Sequence, residues 1–312
     1  MLKRPGAEDM VLELANPNTL IIGVQDCDGV LQNAPWRNNA SDLHLLCQLY
    51  GRDLYDILLD DHGYISYHDN HVTLSAIFLQ EDESYTMKIM GKVAESIIAR
   101  RCSRSIGLNR MWMHRASNGS AVSEELARRY RAIGTGFKTT KSKYPTAYNP
   151  NDKQRDIIWI DEHNMHFPVN GSNSLGSRDA GLQIKASSNG MNYVYADIVK
   201  KTYEVPVVYF DFSGDYGMVF RRVRQALSDE SGDSLESRFI SIRDYDEDAF
   251  EEAEHYCAMV QAVINKRLKV EDLVRRAENY PTFGSAVMAT AMESVAGKVI
   301  LEASNDDSPF LQ

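Results

Sequence analysis

Gln183 and Lys185 stand two residues apart in the run Leu182-Gln183-Ile184-Lys185-Ala186-Ser187. In an extended strand residues i and i+2 point to one face, so the amide and the ammonium are expected to project together. Asp156 opens a second strand-like run, Asp156-Ile157-Ile158-Trp159-Ile160, and Glu95 lies in an apolar-periodic segment closer to the N-terminus. Carboxylates, an amide carbonyl and a lysine are residue types suited to phosphodiester hydrolysis. That reaction needs the charge on the phosphoryl oxygens neutralised while the attacking oxygen is presented in line. A hard divalent ion serves both needs, and hard ions prefer oxygen ligands. Asp161, at the other end of the same strand, and Asp179 compete with Asp156 for a place in such a site. A separate acidic pair, Asp26 and Asp28, follows the apolar run Leu20-Ile21-Ile22-Gly23-Val24.

The elements that must position these residues follow from hydrophobic spacing. Met90, Val93, Ala94, Ile97 and Ile98 fall at i, i+3, i+4, i+7 and i+8, which predicts an amphipathic helix over 87–101. Ser123 is a natural N-cap for a second helix, expected to run to Ile133. A Lys-, Thr-, Tyr-, Pro- and Asn-rich loop is expected from Gly134 to Gln154. Strands are expected at Ile157–Ile160, Leu182–Ala186 and Val205–Phe212, with a helix at Tyr193–Tyr203 between the last two. Gly, Ser and Asn mark 170–178 as a loop, and 228–248 reads as an acidic linker. In the N-terminal part, Thr19–Val24 is a strand candidate and Leu43–Leu59 a helix interrupted by Gly51. Residues 64–68 and 71–79 are expected to form a hairpin around Asp69-Asn70. Near the C-terminus, Phe250, Cys257, Val260 and Ile264 mark one helix, and Phe283 to Ile300 another.

The order helix, strand, strand, helix, strand resembles the PD-(D/E)XK nuclease superfamily, whose core is α-βββ-α-β. Ala94-Glu95-Ser96 resembles its helix motif, Arg155-Asp156-Ile157 its Asp motif, and Gln183-Ile184-Lys185 its third motif in a Gln variant. The resemblance covers about 125 residues. It implies a restriction-endonuclease-like α/β fold and magnesium or manganese as cofactor. It also implies the roles: Asp156 as charged metal ligand, Gln183 and the Ile184 carbonyl as neutral ones, and Glu95 binding metal through water or acting as a base. Lys185 would orient the attacking water and stabilise developing charge. The long insertion between the helix and Asp156 departs from the compact family core.

A rival resemblance lies at Gln25-Asp26-Cys27-Asp28-Gly29-Val30, which is similar to motif I of haloacid-dehalogenase-like phosphatases. That would make Asp26 a nucleophile and Asp28 a general acid/base, with Asp161, Thr73 or Ser75, and Lys143 filling the other places. Against it, Gln25 stands where an apolar residue is usual, and the hairpin does not look like a core strand. Asp-x-Asp-Gly also favours a plain turn.

Charge patterning points the same way as the nuclease resemblance. The formal net charge is −10, yet residues 88–155 hold 15 Lys/Arg against 4 Asp/Glu, whereas 1–87 hold 4 against 14. A basic middle between acidic ends suggests a surface for DNA or another polyanion. Four scattered cysteines (Cys27, Cys47, Cys102, Cys257) with no C-x-x-C pair suit neither a disulfide framework nor a zinc site. With no secretory pattern at the N-terminus and no run of about 18 apolar residues, the expected location is the cytoplasm. The expected organisation is an accessory α/β region at 1–85, a nuclease-like core at 86–227 and a helical region at 228–312. The flanks are expected to regulate the core or to carry a protein partner or self-association. A host-defence or mobile-element nuclease fits by association. A nucleic-acid-binding or assembly protein that keeps the fold without activity is the third expectation.

Overall fold

The computed structural model describes residues 10–16, 19–25, 31–35, 43–68, 71–79, 83–169, 178–228 and 231–275. By backbone contacts the chain divides into two compact units, 1–55 with 261–312, and 56–260.

The N-terminal residues form three strands, β1 (Met10–Asn16), β2 (Thr19–Gln25) and β3 (Leu31–Pro35), in one antiparallel sheet of that order. Only β2 was legible in the pattern. Helix α1 (Leu43–Asp56) runs through Gly51 without a break. A Cβ at Gly51 would collide with the Leu273 carbonyl, so the glycine permits close packing there.

A π-helical turn (Ile57–Asp61) leads to the hairpin of β4 (Ile65–His68) and β5 (His71–Leu74), whose register runs Ile65↔Leu74 to His68↔His71. The long helix α2 (Glu83–Arg104) follows. Its predicted apolar stripe is wholly buried: Met90, Val93, Ala94, Ile97 and Ile98 are all 0% exposed. Next come α3 (Ile106–Ala116), capped by Ser105, and α4 (Glu124–Arg129), capped by Ser123 through Leu126 N–H at 3.1 Å.

The helix predicted to reach Ile133 stops at Arg129. Tyr130 is extended (φ −108°, ψ 140°), and Arg131–Gly134 is strand β6. The predicted loop beyond it contains helix α5 (Lys138–Lys143). Strands β7 (Ile157–Ile160) and β8 (Gly181–Ser187) lie where expected, followed by α6 (Gly190–Tyr193), α7 (Tyr195–Val199) and β9 (Val207–Asp211). The single helix predicted at Tyr193–Tyr203 is thus two short ones, offset toward the N-terminus.

After α8 (Tyr216–Ala226) the predicted acidic linker is also folded. It contains α9 (Gly232–Arg238), β10 (Phe239–Ser241) and α10 (Ile242–Tyr245). Helix α11 (Glu247–Ile264) buries Phe250, Cys257, Val260 and Ile264 as predicted, and the short helix α12 (Asp272–Arg275) follows. The helix predicted at Phe283 to Ile300 and most of the loop at 170–178 lie outside the described residues.

In the 56–260 unit the five-stranded sheet has the order β10-β9-β8-β7-β6. β6, β7 and β8 form an antiparallel meander, and β9 and β10 continue the sheet parallel to β8. Parallel neighbours need a crossover; α6 and α7 supply one, α8 and α9 the next. Helix α2 packs on β6 and β8. Val194, Ile198, Val219 and Val223 pack with Val207 and Tyr209 of β9. A buried polar hub ties the helices to the sheet: Asn109 donates to the Ala127 and Tyr130 carbonyls, each at 2.8 Å, and accepts from Trp159 Nε1 at 2.7 Å. The fold is therefore α/β with mixed sheets.

Candidate active site

Asp156 stands immediately before β7, and its backbone is pinned on both sides. Its N–H donates to Leu182 O and its carbonyl accepts from Thr135 N–H, both at 2.8 Å. β7 and β8 pair only at Ile157↔Leu182 and Ile158↔Gly181, so β8 runs on past Leu182 without a β7 neighbour. A Cβ on Gly181 would meet the Arg155 side chain and the Ile157 carbonyl, so glycine lets the strands close at that point. The Asp156 carboxylate fills the gap beyond. Its Oδ2 accepts from Ile184 N–H at 2.8 Å and from Gln183 Nε2 at 2.5 Å.

Strand geometry orients the rest. Gln183 N–H donates to Pro206 O, which turns its backbone toward β9. Ile184 turns the other way, toward Asp156, and its carbonyl faces the same side. Gln183 and Lys185 sit in register with Val207 and Tyr209 and share their face, as the i, i+2 spacing predicts. Gln183 Oε1 is buried and has no hydrogen-bond partner. Such an acceptor costs about 1–3 kcal/mol if left unmet.

Glu95 comes in from α2 and is 5% exposed. Lys92, one turn earlier, places its Nζ 2.7 Å from Glu95 Oε1. Burial, and next the charge of Asp156, push the Glu95 carboxyl up to about 8 despite the opposing pull of Lys92. Burial also raises Asp156, against the Ile184 N–H and the charges of Lys92 and Lys185. Near neutral pH the two carboxyls therefore hold a proton between them unless another cation is present. The pair is a strongly oxygen-rich, charge-frustrated spot.

Lys185 is committed elsewhere than its neighbour. Its Nζ is 3.3 Å from Asp197 Oδ2 on α7 and lies over the rings of Tyr193 and Tyr203, at 5.0 and 4.9 Å from their centroids. His62 and Tyr64 form another wall. His62 Nε2 is 3.0 Å from Ser96 Oγ, and the ring stacks on Tyr64 and meets Phe137 edge-on. Burial, assisted by the charge of Lys92, drives His62 down to about 3, so it is neutral. Lys92 and His62 carried no motif, and only a spacing of three from Glu95 could have drawn attention to the lysine.

The rival acids are spent on structure. Asp161 Oδ1 accepts from His163 N–H and Met165 N–H, each at 2.9 Å, and its Oδ2 pairs with Arg129. Asp179 pairs with Arg155 and His166, each at 3.1 Å. Asp26 and Asp28 lie outside the described residues. Thr73 and Ser75 belong to the hairpin and the turn after it, while Lys143 ends α5.

Much of the basic stretch is also internally paired. Arg100 binds Asp61 at 2.8 Å, and Arg101 binds Asp246 at 2.9 Å with Asp248 and Glu252 beyond. Lys138, Lys141 and Lys143 of α5 remain exposed. α5 adjoins the wall at His62, since Thr139 Oγ1 lies 3.4 Å from Asp61 and Phe137 touches the His62 ring.

Among the described residues no three His, Cys, Asp or Glu side chains converge as a metal-binding group. The oxygen set here is two carboxylates, one amide and one backbone carbonyl. No helix among the described residues is long and apolar enough to cross a membrane. No family model matches the chain, and neither the curated proteins nor the solved structures searched contain a match.

Proposed function

We propose that the chain is a metal-dependent nuclease that hydrolyses DNA phosphodiester bonds on a restriction-endonuclease-like core. The element order supports this: α2, then the β6-β7-β8 meander, then α6 and α7, then β9 parallel to β8. The observation that carries the reading is the meeting of Glu95, Asp156 and Gln183 where β7 and β8 part, with Gln183 Oε1 buried and unpartnered.

Those residues fit a magnesium or manganese ion: hard oxygen donors, one of them orphaned, beside two carboxyls that burial holds above their ordinary range, with the charge of Asp156 adding to the rise at Glu95. Asp156, Gln183 Oε1 and the Ile184 carbonyl would hold it, with Glu95 directly or through water. The chemistry such an ion supplies is neutralisation of phosphoryl charge. In the hydrolysis a water oxygen bonds to phosphorus, one P–O ester bond breaks, and a water proton ends on the departing oxygen. Glu95, once ionised, would accept a proton from that water. Lys185 contributes fixed positive charge that acts on Asp156. The α5 lysines offer the flanking DNA backbone a cationic surface beside the site.

The test is cleavage of linear and supercoiled DNA, with RNA in parallel, by the purified chain in magnesium or manganese. Gln183→Glu keeps an oxygen at the ligand position and retains cleavage. Gln183→Met removes it and lowers cleavage by at least about tenfold. Equal cleavage by Gln183→Met and the unmodified chain overturns the site. A second reading, a nuclease-like protein that holds DNA without cutting it, is favoured by the Lys92 ammonium already paired with Glu95. DNA retention with no cleavage in either metal supports that reading instead.

A further inference from the structure

Two lysines send their charge to Asp156, and they are differently free to move. Lys185 is held by Asp197 and bracketed by two tyrosine rings, with its side chain 12% exposed. Reaching a phosphate would cost it an ion pair and two cation–π contacts. Lys92 has its ammonium 2.7 Å from Glu95 and its side chain 43% exposed. It rides on α2, a helix fixed by a wholly buried apolar stripe, so its base is rigid while its four-carbon stem can pivot. Its ammonium stands against the carboxylate that would help hold a divalent ion. Two cations cannot share that carboxylate closely without strong repulsion.

We propose that Lys92, and not Lys185, is the lysine that meets the scissile phosphate, guarding the Glu95–Asp156 pair while no divalent ion is bound and turning onto a phosphate oxygen when ion and DNA enter. The proposal rests on the nuclease reading of the same site. It makes Lys185 a positioning residue, which fixes β8 to α7 and so aims Gln183.

The experiment combines binding and turnover on the full chain. Mn2+ affinity is read by electron paramagnetic resonance for the unmodified protein, Lys92→Ala, Lys92→Gln and Lys92→Arg. Removing the competing ammonium is expected to tighten Mn2+ binding several-fold in Lys92→Ala and Lys92→Gln, with no tightening in Lys92→Arg. At saturating Mn2+ the first two variants are expected to lose about 100-fold in kcat, with KM within a few-fold, as for loss of one charge-stabilising donor. Lys92→Arg is expected to recover about tenfold of that loss. A purely structural lysine would not tighten Mn2+ binding while slowing kcat, and Lys92→Gln keeps most of the aliphatic stem of this half-exposed side chain. Unchanged or weaker Mn2+ binding in Lys92→Ala and Lys92→Gln, or kcat within threefold of the unmodified chain, overturns the assignment. If Asp156→Asn is inactive while Lys92→Ala cuts normally, only the Lys92 role falls. If Asp156→Asn cuts normally, or the unmodified chain cuts neither DNA nor RNA, the nuclease reading falls and takes this role with it.

Discussion

Replacing Glu95 by glutamine turns the electrostatics of the buried pair into a measurable stability. Glu95 is 5% exposed, and its carboxyl is displaced from 4.5 up to about 8, by burial first and by Asp156 second. A raised carboxyl binds its proton more tightly in the folded than in the unfolded chain. The contribution is fully present below about pH 4.5 and is lost as pH rises through about 8. A displacement of one pH unit corresponds to about 1.4 kcal/mol, so the loss across that window is on the order of 2–5 kcal/mol once relaxation is allowed for. The substituted glutamine is a neutral near-isostere that never ionises. In EDTA the two proteins should melt together at about pH 4.5, and the Glu95→Gln variant should melt higher at about pH 8.5. At roughly 2–4 °C per kcal/mol for a domain of this size, the gap is about 5–15 °C. His62 and His255, which burial depresses to about 3 and about 4, add their own loss of stability as pH falls. They act equally in both proteins and cancel in the difference. The assay is thermal unfolding by circular dichroism at closely spaced pH values. Parallel pH profiles for the two proteins would mean that Glu95 carries no frustrated charge.

Two other substitutions test how the site is held. Asn109→Leu removes three buried hydrogen bonds and strands Trp159 Nε1, so it should cost about 3–5 kcal/mol; an unfolding free energy in urea within about 1 kcal/mol of the unmodified protein contradicts the hub. Gly181→Ala pushes a methyl onto Ile157 O and Arg155 and should cost about 1–3 kcal/mol. It should also weaken Mn2+ binding, since Asp156 is placed by that strand closure. Normal stability together with normal ion binding would count against the closure.

What the sequence disclosed, and what it hid, follows from the range of the interactions. β7 and β9 were legible because buried central strands are near-continuous apolar runs of β-formers, and β8 because Leu182, Ile184 and Ala186 alternate with Gln183 and Lys185. The α2 stripe was legible because it spans several turns. β6 was hidden by its length: Arg131–Gly134 follows a helix with no Gly or Pro between, and only the partner strand β7 makes it extended. β10 was hidden likewise, three residues inside an acidic stretch that owes its structure to pairing with β9. At the site, Glu95, Asp156 and Gln183 were nominated by the resemblance of their segments to nuclease motifs, and they lie together. The commitment of Lys185 to Asp197 and the approach of Lys92 to Glu95 were not visible. The first depends on how β8 packs against α7, and the second on which face of α2 is buried. Asp161 and Asp179 could be told from Asp156 only by their partners in space.

Cleavage of DNA by the unmodified chain and by Asp156→Asn, side by side in magnesium and in EDTA, bears most directly on the nuclease proposal. Asp156 Oδ2 accepts from both Gln183 and Ile184, so the asparagine variant keeps the size of the side chain while losing its charge. Magnesium-dependent cleavage by the unmodified chain is expected, with none in EDTA and a loss of at least about 100-fold in the variant. Cleavage that persists in Asp156→Asn, or in EDTA, would contradict it.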